Sequence, residues 1–236
     1  MVLNTLVHHP AVAHYLRFVA TTVGRDKALR LLQYLARFLS WYFLRKGYDA
    51  STIAPWDAMK KNFGSVRKAM RIGKNIEHMK AATVALENKS LPPLSRYLIA
   101  ARQFSYFGYL TLDTLGFLST TKIVPLSAPN TARVVKESQR LWLAGIMFSL
   151  FHSALALQSL KEKEQKVVKT EAEGRLASEK LIKERKAVLQ QVVMDGCDIL
   201  IPATGLGLVK VDEGIVGLAG VVSSWLGLTA QWSKTA

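Results

Sequence analysis

The chain has 236 residues, half of them hydrophobic, yet it carries 32 Lys or Arg against 17 Asp or Glu, a formal net charge of +15. Soluble nucleic-acid-binding domains reach such a charge but rarely with so apolar a remainder; apolar and basic blocks in one chain suit a membrane protein with charged surface segments. The single cysteine, Cys197, excludes an intrachain disulfide and a secreted disulfide scaffold, and reads as a small hydrophobe rather than a reactive thiol.

In chain order, "MVLNTLVHHPAVAHYLRF" has no basic stretch, apolar core and small-residue cleavage site in succession, so entry through a cleaved signal is not expected. A first helix is predicted from about Pro10, with Gly24 separating it from a second over residues 25–44. In that second helix Arg30, Gln33, Arg37 and Ser40 recur at spacings of three and four, a narrow polar stripe on an otherwise apolar cylinder. "RKGYDASTIAPW" breaks the pattern with Gly47 and Pro55. A basic helix is expected over 57–87, ended by Pro92 and Pro93, then an aromatic-rich helix over 96–122 with Asp113 in its apolar half.

Two segments are long and apolar enough to cross a bilayer, which needs about 20 residues. They are residues 141–160, free of formal charge if His152 is neutral, and 214–232, which ends in Trp232. Residues 161–190 between them are expected as a charged, solvated loop or exposed helix. The short "ILIPATGLGLV", interrupted by Pro202, Gly205 and Gly207, suits an interfacial or re-entrant piece. Strand signals are nearly absent. The expected fold is all-α: a helical membrane protein with a basic amphipathic surface helix and about two spans. Its regions would be an N-terminal membrane-associated part, 1–136, and a C-terminal membrane part, 137–236.

Catalytic signals are weak. "RIGKN" has no Ser or Thr after Lys74 and has Lys68 where the first P-loop glycine belongs. His8, His9 and His14 have no carboxylate or thiol near them in sequence, and "GLG" at Gly205 follows no strand. No enzyme activity, metal or cofactor is expected. In the last apolar segment Ala219, Ser223 and Gly227 recur every four residues with Gly220 beside them, a small-residue ridge that lets helices approach closely in lipid.

The basic helix carries most of the functional reading. At 100° per residue Lys60, Arg67, Arg71, Lys74 and His78 fall in one arc, while Phe63, Val66, Met70, Ile72 and Ile76 spread over the other side. Lys68 adds to the charge, and Lys80 falls on the apolar side, so the separation is not clean. Such a helix suits the surface of an anionic bilayer; nucleic acid is the weaker reading, since it would leave the apolar face uncovered.

Three stretches, "GRDKALRLLQYLARFLSWY", "FGSVRKAMRIGKNIEHMKAA" and "MDGCDILIPATGLGLVKVDEGIVGLAGVVSSWLGL", together resemble the peroxin-11 family, and most closely its fungal members. The likeness runs nearly end to end. It implies a non-enzymatic peroxisomal membrane protein that promotes elongation and proliferation, inserts an amphipathic helix into one leaflet, self-associates and works with dynamin-class fission machinery. Carried onto this chain, the lipid contacts would be Arg67, Lys68, Arg71 and Lys74, with Phe63, Val66, Met70 and Ile76 as the wedge. The helix-packing residues would remain Ala219, Gly220, Ser223 and Gly227. An alternative function in the family is a pore for small metabolites, for which Asp113 would be the leading polar candidate. The family topology, both termini cytosolic, would put residues 161–186 in the lumen, against the positive-inside rule.

Overall fold

The structure, a computed structural model, describes residues 7–166 and 172–236. Among these residues all regular structure is helical. In chain order the helices are α1 (Pro10–Ala20), α2 (Thr22–Arg45), α3 (Ala50–Met70), α4 (Asn75–Glu87), α5 (Pro93–Thr120), α6 (Ala128–Lys166), α7 (Ala172–Asp198), α8 (Leu200–Gly205) and α9 (Glu213–Lys234). They form two compact units: Met1–Arg71 with Lys210–Ala236, and Ile72–Val209. These units do not follow the 1–136/137–236 division, because the last helix returns to pack on α2 near the start of the chain.

In the first unit α1 and α2 part at Thr21, not at Gly24. The Thr21 backbone is extended, and its Oγ1 accepts a hydrogen bond from the Gly24 N–H at 2.9 Å, capping α2 one turn earlier than the glycine suggested. Gly47, at φ +74°, ends α2 as expected of a left-handed residue. Pro55 does not break the next helix; it lies inside α3. There it removes one intrahelical bond, the one that would reach back to Ser51, close to a start where Asp49 gathers the hydroxyls of Ser51 and Thr52.

The basic stretch expected as one helix over 57–87 is two. Residues 71–74 form a turn with Gly73 at φ +83°, so α3 ends at Met70 and α4 begins at Asn75. Glycine inside a helix costs about 1 kcal/mol relative to alanine, and here it takes a left-handed conformation that other residues rarely adopt.

In the second unit α5 and α6 run antiparallel through close contacts at glycine: Gly108 against Leu141, Gly116 against Val135, and Gly145 against Ser105 and Tyr106. Tyr109 stacks on Trp142 at 5.3 Å, and Ser138 Oγ donates to the Tyr109 carbonyl. α4 lies on α5 through His78, whose Nδ1 is 2.7 Å from Gln103 Oε1 and whose ring stacks on Tyr106, and through buried Ala82 and Ala85. The apolar run 141–160 is the inner part of α6, a helix of 39 residues and about 58 Å at 1.5 Å per residue. Of the loop or exposed helix expected for residues 161–190, the exposed helix is what is found wherever they are described, carried by the ends of α6 and α7; residues 167–171 lie outside the described residues. Buried Leu160 and Leu181 and an Arg185–Glu164 ion pair at 3.4 Å support this charged stretch as paired helices.

Candidate membrane-facing surface

Helix α2 explains what the polar stripe is for. Arg30 Nη2 donates to Ser223 Oγ on α9 at 3.2 Å, and Gln33 Oε1 accepts from Arg67 Nη1 on α3 at 2.7 Å. Arg37 grips Glu213 with two bonds, 2.7 and 2.8 Å, and Ser40 Oγ donates to Asp57 at 2.7 Å. Arg30, Gln33 and Ser40 therefore point into the unit, and Arg37 holds Glu213 at its edge. Leu32, Leu35 and Tyr42 point out and are exposed.

Helix α9 has the same inverted polarity. Ser223 and Ser224 are fully buried, whereas Ile215, Leu218, Val222 and Trp225 are exposed, Trp225 to 56%. Its N-terminus is fixed by Asp212, which accepts from the Gly214 N–H at 2.9 Å and pairs with Arg45 at 2.7 Å. Those two bonds hold the Asp212 carboxyl below the usual carboxylate range. The second unit repeats the arrangement: Ser149 donates to buried Asp195 at 2.5 Å, Gln191 donates to its other oxygen at 2.9 Å, and Met147, Phe151 and Val193 lie outside. Serines and ion pairs inside with large apolar side chains outside are unfavourable in water and favoured in lipid, where apolar surface needs no burial and polar groups need partners. α6 and α9 have the length and apolar composition of membrane spans.

The expected packing residues on α9 face their own chain. Gly220, Ser223 and Gly227 are buried against α2, and Ala219 lies at the edge of that face. A Cβ on Gly220 would lie 2.1 Å from Tyr34 Cδ1, and one on Gly217 would lie 2.9 Å from the Phe38 backbone nitrogen. The buried line runs Gly217, Gly220, Ser223, Gly227 at spacings of three and four, the seam of a two-helix packing, with Ser224 buried beside it, so Ser223 and Gly227 of the expected ridge lie on it and Ala219 does not.

The expected lipid-contacting residues are dispersed. Arg67 is buried, 8% exposed, with Nε 3.0 Å from Asp26 Oδ1. Lys60 pairs with Asp57 at 2.8 Å, Lys68 is half-buried on α3, Arg71 lies in the turn with Nε donating to the Arg67 carbonyl, and Lys74 pairs with Glu77 at 3.3 Å. Of the expected wedge, Val66 and Ile76 are exposed while Phe63 and Met70 are half-buried. The single basic arc thus exists only if 57–87 is one helix. Sequence reasoning missed Asp26 as the partner of Arg67, and missed Met79, which joins Ile76 on the exposed side of α4. Asp113 is half-buried on α5. His9 caps α1 and His14 lies against Trp232, ring centroids 3.9 Å apart.

Comparison with known proteins finds one family along nearly the whole chain. The family model for Peroxisomal biogenesis factor 11 (PEX11) matches residues 12–232. Peroxisomal membrane protein PMP27 of Saccharomyces cerevisiae is 30% identical over the full length of both chains. Peroxisomal biogenesis factor 11 of Schizosaccharomyces pombe is 25% identical over 96% of this chain and 97% of its own. Peroxisomal membrane protein 11A of Bos taurus is 23% identical over 91% and 94%. No solved structure matches the chain. With the family match running across both units, and with two apolar helices suited to integral association, the chain belongs to the PEX11 family of peroxisomal membrane proteins.

Proposed function

We propose that the protein drives peroxisome proliferation by shaping the membrane in which it resides, without catalysis, and that α4 is the element that enters one leaflet. The observation that carries this reading is the exposed apolar face of α4. Ile76, Met79, Thr83 and Leu86 recur at three and four residues, and Ile72 is exposed in the turn just before them. Lys80 lies beside that face and suits anionic headgroups, worth about 1 kcal/mol near a charged surface, and Lys74 adds its charge in the turn before the helix, beside Glu77. A helix buried roughly 5–10 Å into one leaflet expands it relative to the other and favours the curvature of a tubule. Self-association and recruitment of dynamin-class fission machinery complete the proposal.

The test uses the full chain in cells lacking their own copy. Ile76→Ser with Met79→Ser should leave the protein in the carbonate-resistant membrane pellet, since α6 and α9 are untouched, yet abolish peroxisome elongation scored by organelle length and number. Normal elongation by this double variant would refute α4 as the wedge. Release of the wild-type protein by carbonate would refute membrane residence itself.

A further inference from the structure

The way α2 and α9 are joined bears on how much of the chain is embedded. Their contact is an in-register antiparallel seam: Gly214 against Trp41, Gly217 against Phe38, Gly220 against Tyr34, Ser223 against Arg30 and Gly227 against Lys27. From Gly214 to Gly227 this covers about 20 Å at 1.5 Å per residue, two-thirds of a hydrocarbon core about 30 Å thick. A helix so joined to its neighbour does not enter a bilayer alone. Whatever depth α9 occupies, α2 occupies too.

α2 meets the requirements of that depth. It has 24 residues, about 36 Å, and between Leu29 and Leu44 its polar stripe is the inward one, each member held by Ser223, Arg67, Glu213 or Asp57. A paired, inward-facing arginine avoids the exposure to lipid that makes charges costly in membranes. The two ends of the pair carry aromatic and basic side chains suited to the interfaces. At one end Trp41 and Tyr42 lie under Arg45 and Lys46, with Phe43, Tyr48 and Trp56 beside them. At the other, His14 and Phe18 pack on Trp232, and Arg17 donates to the Thr235 carbonyl. On the third side α3 covers the stripe and presents Lys61, Asn62 and Ser65 outward, so that side is turned to water or protein rather than to acyl chains.

We propose that α2 crosses the hydrocarbon core as the antiparallel partner of α9, with Leu32, Leu35 and Tyr42 on lipid. Counting apolar residues misses this span because Arg30 and Arg37 sit in its middle and Arg25, Asp26 and Lys27 near its start, where Asp26 is paired with Arg67. The inference rests on α9 spanning, and is independent of the role given to α4.

Cys197 is the only cysteine, so single-cysteine variants in a Cys197→Ser background test it directly in the full chain. Leu35→Cys and Val222→Cys report mid-depth on α2 and α9; Tyr48→Cys and Tyr15→Cys report the two ends. A membrane-impermeant maleimide is applied to intact peroxisomes, to freeze–thawed ones and to SDS-dissolved ones. The two end positions should label from opposite sides, one only after freeze–thaw. Leu35→Cys and Val222→Cys should label at least tenfold more slowly than either end until SDS is added. Fast labelling at Leu35→Cys with Val222→Cys protected would place α2 on the surface and overturn the inference alone. Both end positions labelling from one side would overturn it equally. Fast labelling at both mid-depth positions would remove the α9 span as well. Leu32→Cys repeats the measurement one turn away should Leu35→Cys fail to accumulate.

Discussion

Gly220→Ala should disrupt the first unit while Gly227→Ala, two turns further along the same face of α9, should not. A methyl group at residue 220 would lie 2.1 Å from Cδ1 and 2.3 Å from Cγ of Tyr34, the root of the ring and not a flexible tip. Tyr34 is buried, with the Arg30 guanidinium 5.4 Å from its ring centroid, so it has little room to turn away. The helices must separate or the ring must leave its position, and overpacking of this kind costs about 1–3 kcal/mol or more. At Gly227 the added methyl would meet only the Lys27 side chain, at 3.4 Å and beyond. That is ordinary contact, and the gain in helix propensity, up to about 1 kcal/mol, should leave the variant unchanged or slightly more stable. Thermal unfolding of the full chain in detergent reads both. Tyr34→Ala combined with Gly220→Ala should recover much of the loss, giving a coupling of opposite sign to the single effects. Equal behaviour of the two glycine variants would mean that α9 does not pack on α2 through this seam.

That seam marks the limit of what was legible in the chain. The helical class, the two long apolar stretches, the turns at Gly47 and around Pro92, and the family resemblance all follow from local pattern, which residues 10–236 carry plainly. The small-residue ridge was legible too, but not its partner. A run of Gly and Ser states that something approaches closely, and nothing in residues 214–232 says whether that something is a second copy, lipid or α2. The stripe Arg30–Gln33–Arg37–Ser40 had the same ambiguity: its spacing puts four polar groups on one face, whereas Ser223, Arg67, Glu213 and Asp57 lie from 17 to 193 residues away. The basic helix failed for a different reason. A helical wheel assumes an unbroken cylinder, and Gly73 breaks it by one residue's left-handed φ.

The buried pair at the end of α3 separates the two accounts of the basic residues most sharply. If Lys60, Arg67, Lys68, Arg71 and Lys74 formed one headgroup-binding arc, neutralising Arg67 or Lys74 would be equivalent. Each would weaken binding to anionic vesicles by about 1 kcal/mol and leave stability unchanged. The structure assigns them different tasks. The side chains of Arg67 and Asp26 are only 10% and 16% exposed at 3.0 Å separation, so removing one partner leaves the other charge buried, a loss of about 3–5 kcal/mol. Asp26→Asn should therefore lower the unfolding temperature strongly, since it leaves Arg67 buried beside Arg30 and Arg71, and Arg67→Gln should lower it less, in neutral and anionic lipid alike. Lys74, in an exposed pair with Glu77, should cost under about 1 kcal/mol when changed to Gln, and its effect should surface only in binding to anionic vesicles. The reversed pair, Asp26→Arg with Arg67→Asp, should regain part of the lost stability. Gln33, whose Oε1 accepts from Arg67 Nη1 at 2.7 Å, can turn its amide to donate to the new carboxylate. Vesicle flotation and thermal unfolding on the same samples give the answer. Arg67→Gln with unchanged stability and lost anionic binding would return Arg67 to the membrane surface and make the Asp26 clasp incidental.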